Sequence, residues 1–585
     1  MKKSISISTA ATITVSLITA ISGLAQSPSN VRADAVQGAI HGIVSDSAGV
    51  PVSGIEVSIL NVEDRSDPVV VSAVDGSFGL RRLKPGKYEV IAARGELKSP
   101  TASFDLAANE DHAVNLVVPA SVAPSSTNAA QQSFFKRFAL AYWSDWHPSA
   151  TAPASPPPAF RGDPAPESTP PYPFTVWPIG GTVNIGQPFS FSTPLMTAIY
   201  SGKSGKAWEK SKIGIYGWAN AGMNFSTSNG LPYGNAPAAY AQIPNSIQLD
   251  QFALYIERQP DTVQTDHFDW GFRLTNLYGL DYRFTTSKGV FSQQLLNNLK
   301  ADGSIGNKYG YDPVMAYVDL YFPHVAQGMD LRIGRYISLP DIEAQLAPNN
   351  YTYTHSLTYT YDCYTQEGVN ATTKLNDHWT LQLGLSAGCE SALWTKDAQL
   401  TGNICLGFNW RQGQDNLYTC ANSINDSKYS YNNLAAYYIT WYHKFNSRWH
   451  TDTEIWYQYM KDTPNVNNPN AASLIQTNSN GASCNRPDEL TCFAPSAATV
   501  NYTSRQFGAH DFLTFRNEFF DDKRGQRTGF KTRYVEDGIG WNHWVGSTVL
   551  FRPELRWEHS FDATAYDNGT KHSQFMFAGD IIWFY

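Results

Sequence analysis

The chain has 585 residues, a formal net charge of −8 and no basic block, so more than one domain is expected and nucleic-acid binding is excluded as a first reading. Aromatic residues make up 13% of the chain, yet mean hydropathy is −0.33, which points to apolar residues alternating with polar ones instead of forming long runs. Charged residues, at 16%, are sparse for a soluble surface.

In chain order, "MKKSISISTAATITVSLITAISGLAQ" comes first. Lys2 and Lys3 precede an apolar run to Ile21, and Gly23, Leu24 and Ala25 offer small residues for cleavage. This pattern predicts a secretory signal peptide over 1–25, ahead of the competing reading as an anchor helix. No Cys lies near the cleavage site, so no lipid anchor is expected there. Beyond it no run of about 18 apolar residues follows, so no transmembrane helix is predicted.

Residues 37–118 read as a small β-sandwich. "GAIHGIVSDSAGVPVSGIEVSIL" and "SAVDGSFGLRRLKPGKYEVIAA" each hold two strand-like runs, with turns at Asp75-Gly76 and Pro85-Gly86. Gly42 to Asp46, Gly49 to Pro51, Asp75 to Phe78 and Leu83 to Tyr88 carry a pattern that resembles the carboxypeptidase regulatory-like domain. The resemblance implies a non-catalytic module of the kind placed before outer-membrane barrels. No metal or nucleophile constellation accompanies it.

Residues 119–205 read as a spacer. "ATAPASPPPAFRGDPAPESTPPYPF" is extended and semi-rigid. Before it, Phe134, Phe138 and Tyr142 recur at spacing four, which predicts a short helix with one aromatic face. That face packs on a neighbouring domain or lies at the inner membrane surface. Residues 177–200 are long enough to reach into a barrel mouth.

From 206 to 585 the strands alternate strictly. Phe268, Trp270, Phe272 and Leu274 share a face opposite Asp269 and Arg273. Val549, Phe551, Leu555 and Trp557 oppose Arg552, Glu554, Arg556 and Glu558. One face is aromatic and the other carries both charge signs. In lipid every backbone polar group must be bonded, so an exported chain without apolar helices spans only as a closed barrel. About 16 strands can be placed, among them one over 266–285, with short connections at one end and long ones near 286–311, 338–366 and 461–495 at the other. The predicted fold class is therefore all-β, an antiparallel transmembrane barrel behind an N-terminal sandwich. "GDIIWFY" is the closing strand, and its aromatic pattern resembles the signal that barrel-assembly machinery reads.

All six Cys lie beyond residue 360 and, in an exported protein, are disulfide candidates. Cys405 and Cys420 are symmetric about Gln412-Gly413, Cys484 and Cys492 close a short loop, and Cys363 and Cys389 remain to pair.

"GRYISLPDIEAQLAPNNYTYTHS", "RNEFFDDKRGQRTG" and "RPELRWEHS" resemble segments of the OmpL-like beta-barrel porins. Arg516, Glu518, Asp521, Gly525, Arg527 and Gly529 look like that family's Arg-x-Glu…Asp…Gly-x-Arg-x-Gly, and Arg552, Glu554 and Arg556 like its Arg-x-Glu-x-Arg. The likeness covers about two-thirds of the chain and implies passive transport.

The expectation is a bacterial outer-membrane porin, with its N-terminal domain in the periplasm and a water-filled pore for small hydrophilic solutes or ions. It meets outer-membrane lipid and assembly machinery, takes no cofactor, and leaves homo-oligomerisation open. Pore-lining residues are Arg273, Asp319, Arg332, Asp452, Glu454, Arg516, Glu518, Arg552, Glu554, Arg556 and Glu558. Segment 338–366 holds Pro340, Pro348 and Asn349-Asn350, which break strands, yet it is too aromatic for disorder. It is expected to fold inward and narrow the pore, with Asp341 and Glu343 at the constriction. Two other classes compete. An energised TonB-dependent receptor needs about 22 strands and a plug. An enzyme or adhesin on a barrel would need a nucleophile–base constellation, and no Gly-x-Ser-x-Gly or His-Glu-x-x-His occurs.

Overall fold

The computed structural model describes residues 38–45, 52, 55–63, 69–72, 77–94, 97–108, 110–118, 132–147, 185, 193–262, 264–297, 306, 308–376, 378–410, 415–446, 449–476, 479–507, 510–546 and 548–585. Residues 1–25, expected to be a signal peptide, and most of the Pro-rich stretch expected to be a spacer lie outside these residues.

The N-terminal domain packs two small sheets. Strands β1 (Gly38–Ser45), β4 (Ser77–Leu83), β8 (Asp111–Ala113) and β9 (Leu116–Val117) form one. Strands β2 (Glu56–Asn61), β3 (Val69–Val71), β5 (Gly86–Arg94), β6 (Leu97–Lys98) and β7 (Ala102–Leu106) form the other. Alternate residues point between the sheets, so Ile40, Val44, Val57, Ile59, Tyr88 and Val90 share one apolar core.

Helix α1 (Phe134–Trp146) follows, capped by Ser133, whose side chain accepts a bond from Lys136 N. Its aromatic face stacks Phe134 on Phe138 and Phe138 on Tyr142. Tyr142 Oη donates to Phe584 O at 2.7 Å, and Trp146 Nε1 donates to Thr548 Oγ1 at 2.9 Å. The helix therefore packs on the barrel at the end where the chain's last strand stops. Helices α2 (Pro194–Tyr200) and α3 (Gly205–Ser211) lead from it into the barrel, and Arg137 Nε donates to Ala198 O at 3.0 Å. Of the segment 177–200, expected to be able to reach a barrel mouth, Ile185 and residues 193–200 are described; Ile185 is buried beside Gly328, and the rest caps and forms α2.

The barrel has sixteen antiparallel strands, each paired with its chain neighbours, and the first pairs with the last. In order they are β10 (Ile213–Ser226), β11 (Ile247–Arg258), β12 (Asp269–Gly279), β13 (Gly310–Phe322), β14 (Met329–Ile337), β15 (Thr365–Lys374), β16 (Trp379–Cys389) and β17 (Thr401–Trp410). The second half is β18 (Asp415–Ile424), β19 (Ala435–Asn446), β20 (Trp449–Pro464), β21 (Thr491–Gln506), β22 (Asp511–Asp522), β23 (Thr532–Val545), β24 (Val549–Ser560) and β25 (Ser573–Phe584). Trp218 pairs with Phe584 and Ser226 with Met576, so no edge strand is left bare.

The alternation read in the sequence is carried through in three dimensions. Phe252, Trp270, Leu383, Phe551, Trp557 and Trp583 are exposed on the outer face, where a barrel meets lipid. Their chain neighbours point inward and are buried. The strand expected over 266–285 stops at Gly279, because a short helix, α4 (Tyr282–Thr285), turns the chain. Gly279 has φ +156°, and a side chain there would strike Asp250 O. Connections such as 375–378 and 507–510 lie at the end where the chain enters. The long ones, 227–246, 280–309, 338–364 and 465–490, lie at the other.

Candidate functional site

The inner wall is charged because alternate residues of successive strands face each other across the ladder. Asp319 and Arg332 are register partners on β13 and β14, and their side chains form a bidentate pair with both bonds 2.8 Å long. Arg273 Nε donates to Glu257 at 2.6 Å, and Arg335 bonds Asp312 at 2.8 Å. On the opposite wall, Arg552 Nε reaches Asp580 at 2.9 Å, Arg556 pairs with Glu558 at 2.6 Å, and Arg516 pairs with Glu536. Each of these arginines is buried.

Across the space between the walls runs segment 338–364. It leaves β14, crosses the lumen, forms helix α5 (Leu357–Thr360) and returns to β15. Its residues from Ser338 to Thr360 are buried, apart from half-buried Pro348. Two kinds of side chain hold it. Arginines take its carbonyls: Arg552 Nη1 donates to Ala347 O at 2.7 Å and Asn350 O at 2.9 Å, Arg516 Nη1 to Thr354 O at 2.5 Å, and Arg556 Nη1 to His355 O at 2.6 Å. Carboxylates take its amides: Ile342 N donates to Glu454 at 2.9 Å, Thr354 N to Glu554 at 3.1 Å, and Leu357 N to Glu518 at 2.9 Å. A non-regular backbone buried at membrane depth must have its polar groups met by protein, and here the wall charges meet them.

The segment also touches the wall near the barrel seam. Gln251 Nε2 donates to Gln345 O at 2.6 Å, and Ala347 N donates back to Gln251 Oε1 at 3.0 Å. Gly222 on β10 leaves room for the Tyr353 ring, which a Cβ would strike. A disulfide joins Cys363, at the end of the segment, to Cys389 at the end of β16. Cys405 pairs with Cys420 between β17 and β18, and Cys484 with Cys492 in the connection before β21.

The structure places the residues expected to line a pore as follows. Arg273, Asp319 and Arg332 are spent in wall pairs. Arg516, Glu518, Arg552, Glu554, Arg556 and Glu454 hold the inward segment. Glu558 pairs with Arg556. Asp452 accepts a long bond, 3.4 Å, from Tyr351 Oη. All are buried, so none fronts open water. Glu343 and Asp341 do not front a passage either. Glu343 lies 3.2 Å from His355 Nδ1 and bonds Ser356, and Asp341 is 3% exposed. Beside the short connection between β19 and β20, His450 is buried and His443 bonds Asp415.

Several residues of this arrangement were passed over in the sequence. Glu257, Arg335, Glu536 and Asp580 sit on the inward parity of strands already assigned, and alternation alone would have found them. Asn350, whose side chain bonds Ala344 N and Ala344 O, and Arg527, whose Nε donates to Tyr361 O at 2.8 Å, have no such periodic signal.

At the mouth with long connections lies a cavity of about 210 Å³, lined among others by Arg283, Tyr361, Tyr364, Glu390 and Tyr431. Glu390 accepts bonds from Tyr364 N at 3.2 Å and Asn432 Nδ2 at 2.6 Å. Burial pushes its carboxyl up to about 7, against the pull of Arg527.

The family model described as putative beta-barrel porin-2, OmpL-like, matches residues 212–584. The model of the carboxypeptidase regulatory-like domain matches residues 39–119. Among solved structures, the anion-selective porin from Comamonas acidovorans is 9% identical, with 64% of this chain and 99% of that chain covered and a TM-score of 0.40. The outer membrane channel DcaP of Acinetobacter baumannii is 9% identical over 64% of this chain and 97% of its own, with a TM-score of 0.39. OmpT of Vibrio cholerae, in its trimer form, is 8% identical over 64% and 99%, with a TM-score of 0.38. No curated protein matches the chain.

Proposed function

Because the chain belongs to the putative beta-barrel porin-2, OmpL-like family, an outer-membrane barrel of porin type, we propose that it passes small hydrophilic solutes and ions passively, through a lumen that its own segment 338–364 restricts. The observation that carries this is the wall: arginines and carboxylates of β20, β22 and β24 are matched to the carbonyls and amides of one inward segment. Such a lumen conducts through narrow polar paths around the segment, at low unit conductance.

The lumen arginines are paired with carboxylates, so the wall carries both charge signs side by side. Helix α1 packs at the end of the short connections, which is the periplasmic side in bacterial barrels, and its position supports a periplasmic location for the sandwich that precedes it in the chain.

Sixteen strands closed on themselves leave no place for the 22 of an energised receptor. Purified protein in planar bilayers should give stepwise conductance of low unit size. Folded barrels that insert without any conductance would sink the proposal.

A further inference from the structure

The two ends of the inward segment meet the wall at one point. Asp341 near its start, Asp362 near its end and Glu454 on β20 bring carboxylate oxygens within 4.8 Å of one another. All three side chains are buried, Asp362 completely. Glu454 Oε2 is met by Ile342 N. Neither Asp362 oxygen nor Asp341 Oδ1 is met by a backbone, amide, hydroxyl or cationic donor among the described residues; the two carboxyls lie within hydrogen-bond reach of each other, a contact that requires a shared proton or a cation between them. A fourth group lies within electrostatic reach of all three carboxylates: Tyr438 on β19 is 1% exposed, and its hydroxyl also lacks a partner among the described residues.

The surroundings do not neutralise the cluster. Glu343, Glu390 and Asp452 add charge of the same sign. Arg527 is the nearby cation, and its guanidinium is spent on Tyr361 O, Asp362 O and the Asn432 side chain. Burying a bare carboxylate costs several kcal/mol, and three side by side cost more, unless a positive charge is shared among them.

We propose that Asp341, Asp362 and Glu454 form a calcium site that fastens both ends of the inward segment to β20. The ligand set is hard oxygen, which suits Ca²⁺ or Mg²⁺ and not a softer metal. Oxygens about 2.4 Å from a central Ca²⁺ lie at most about 4.8 Å apart, whereas the shorter bonds of Mg²⁺ demand a tighter cluster. The three carboxylates offer oxygens within 4.8 Å of one another, which a central Ca²⁺ can span, and Ca²⁺ accepts irregular oxygen cages that the near-ideal octahedron of Mg²⁺ does not. The site complements the disulfide: Cys363–Cys389 ties the segment covalently to β16, and the ion ties it to the wall strand β20.

The test uses the full chain folded in detergent, stripped with chelator and shown to be folded by its heat-modifiable migration. Equilibrium dialysis against radioactive calcium should give one ion per chain. Millimolar CaCl₂ should raise the unfolding temperature by several degrees over chelator, and MgCl₂ by less. Asp341→Asn with Asp362→Asn should weaken binding at least tenfold, while Asp562→Asn, an exposed control, keeps it. No binding at millimolar calcium, or binding unchanged in the double variant, overturns the site. A magnesium effect equal to that of calcium overturns the assignment of the ion. The readout is binding and not conductance, so failure here leaves the channel proposal standing.

Discussion

At the scale of single residues, buried charge does two jobs at once. Arg552 satisfies Asp580 with one edge of its guanidinium and the carbonyls of Ala347 and Asn350 with the other. Removing it leaves the buried Asp580 carboxylate with the Asn220 amide but no cation, and takes a donor from two buried carbonyls. Arg552→Ala should therefore destabilise the barrel by about 3–5 kcal/mol. The exposed pair Arg533–Asp562 is held by surface groups, and Arg533→Ala should leave the unfolding temperature unchanged. Equal losses in thermal unfolding from the two variants would contradict the weight placed on burial. Glu390 gives a pH signature. Its carboxyl titrates at about 7 in the folded chain, raised from 4.5 by burial. Its stabilising contribution is thus complete below the unfolded value, falls as pH rises, and is gone above the folded one. The unfolding temperature of Glu390→Gln relative to wild type should climb between those values and level off above pH 7. A difference that is flat with pH would show that Glu390 does not carry this shift.

At the scale of elements, the strands were legible and the way the inward segment is seated was not. Period-two alternation places every barrel strand, since lipid outside and charge inside impose opposite chemistry on neighbouring residues. The segment's own signals, Pro340, Pro348, Asn349-Asn350 and a run of Tyr and Thr, say that it leaves the sheet and stays ordered. Its anchors are another matter. Thr354 is bonded by Glu554 and Leu357 by Glu518, at separations of 200 and 161 residues, and no local pattern announces such pairs. The boundary at Gly279 was missed because the aromatic sequence of α4 continues the look of the strand. Helix α1 was visible from its spacing, but not its partner. Its Tyr142 hydroxyl closes onto Phe584 O, beside Trp583 on the outer face. Tyr142→Phe should cost about 1 kcal/mol by the loss of that bond and leave the barrel closed. A loss of folded barrel altogether would mean that α1 is required for closure and not merely fastened to it.

At the scale of the whole molecule, the barrel is a shell whose inside has been used twice. The strands satisfy one another around the circumference, and their inward charges then satisfy a chain segment that would otherwise be a long outer loop. Sixteen strands enclose more room than side chains alone fill, and segment 338–364 takes it up. The central claim is that this segment, and not the barrel wall, sets what can pass. Single-channel recording of wild type and of a variant lacking 341–356, both in planar bilayers from heat-modifiable, folded preparations, tests it most directly. Unit conductance should rise severalfold when the segment is removed. Equal conductance in the two proteins would contradict the account.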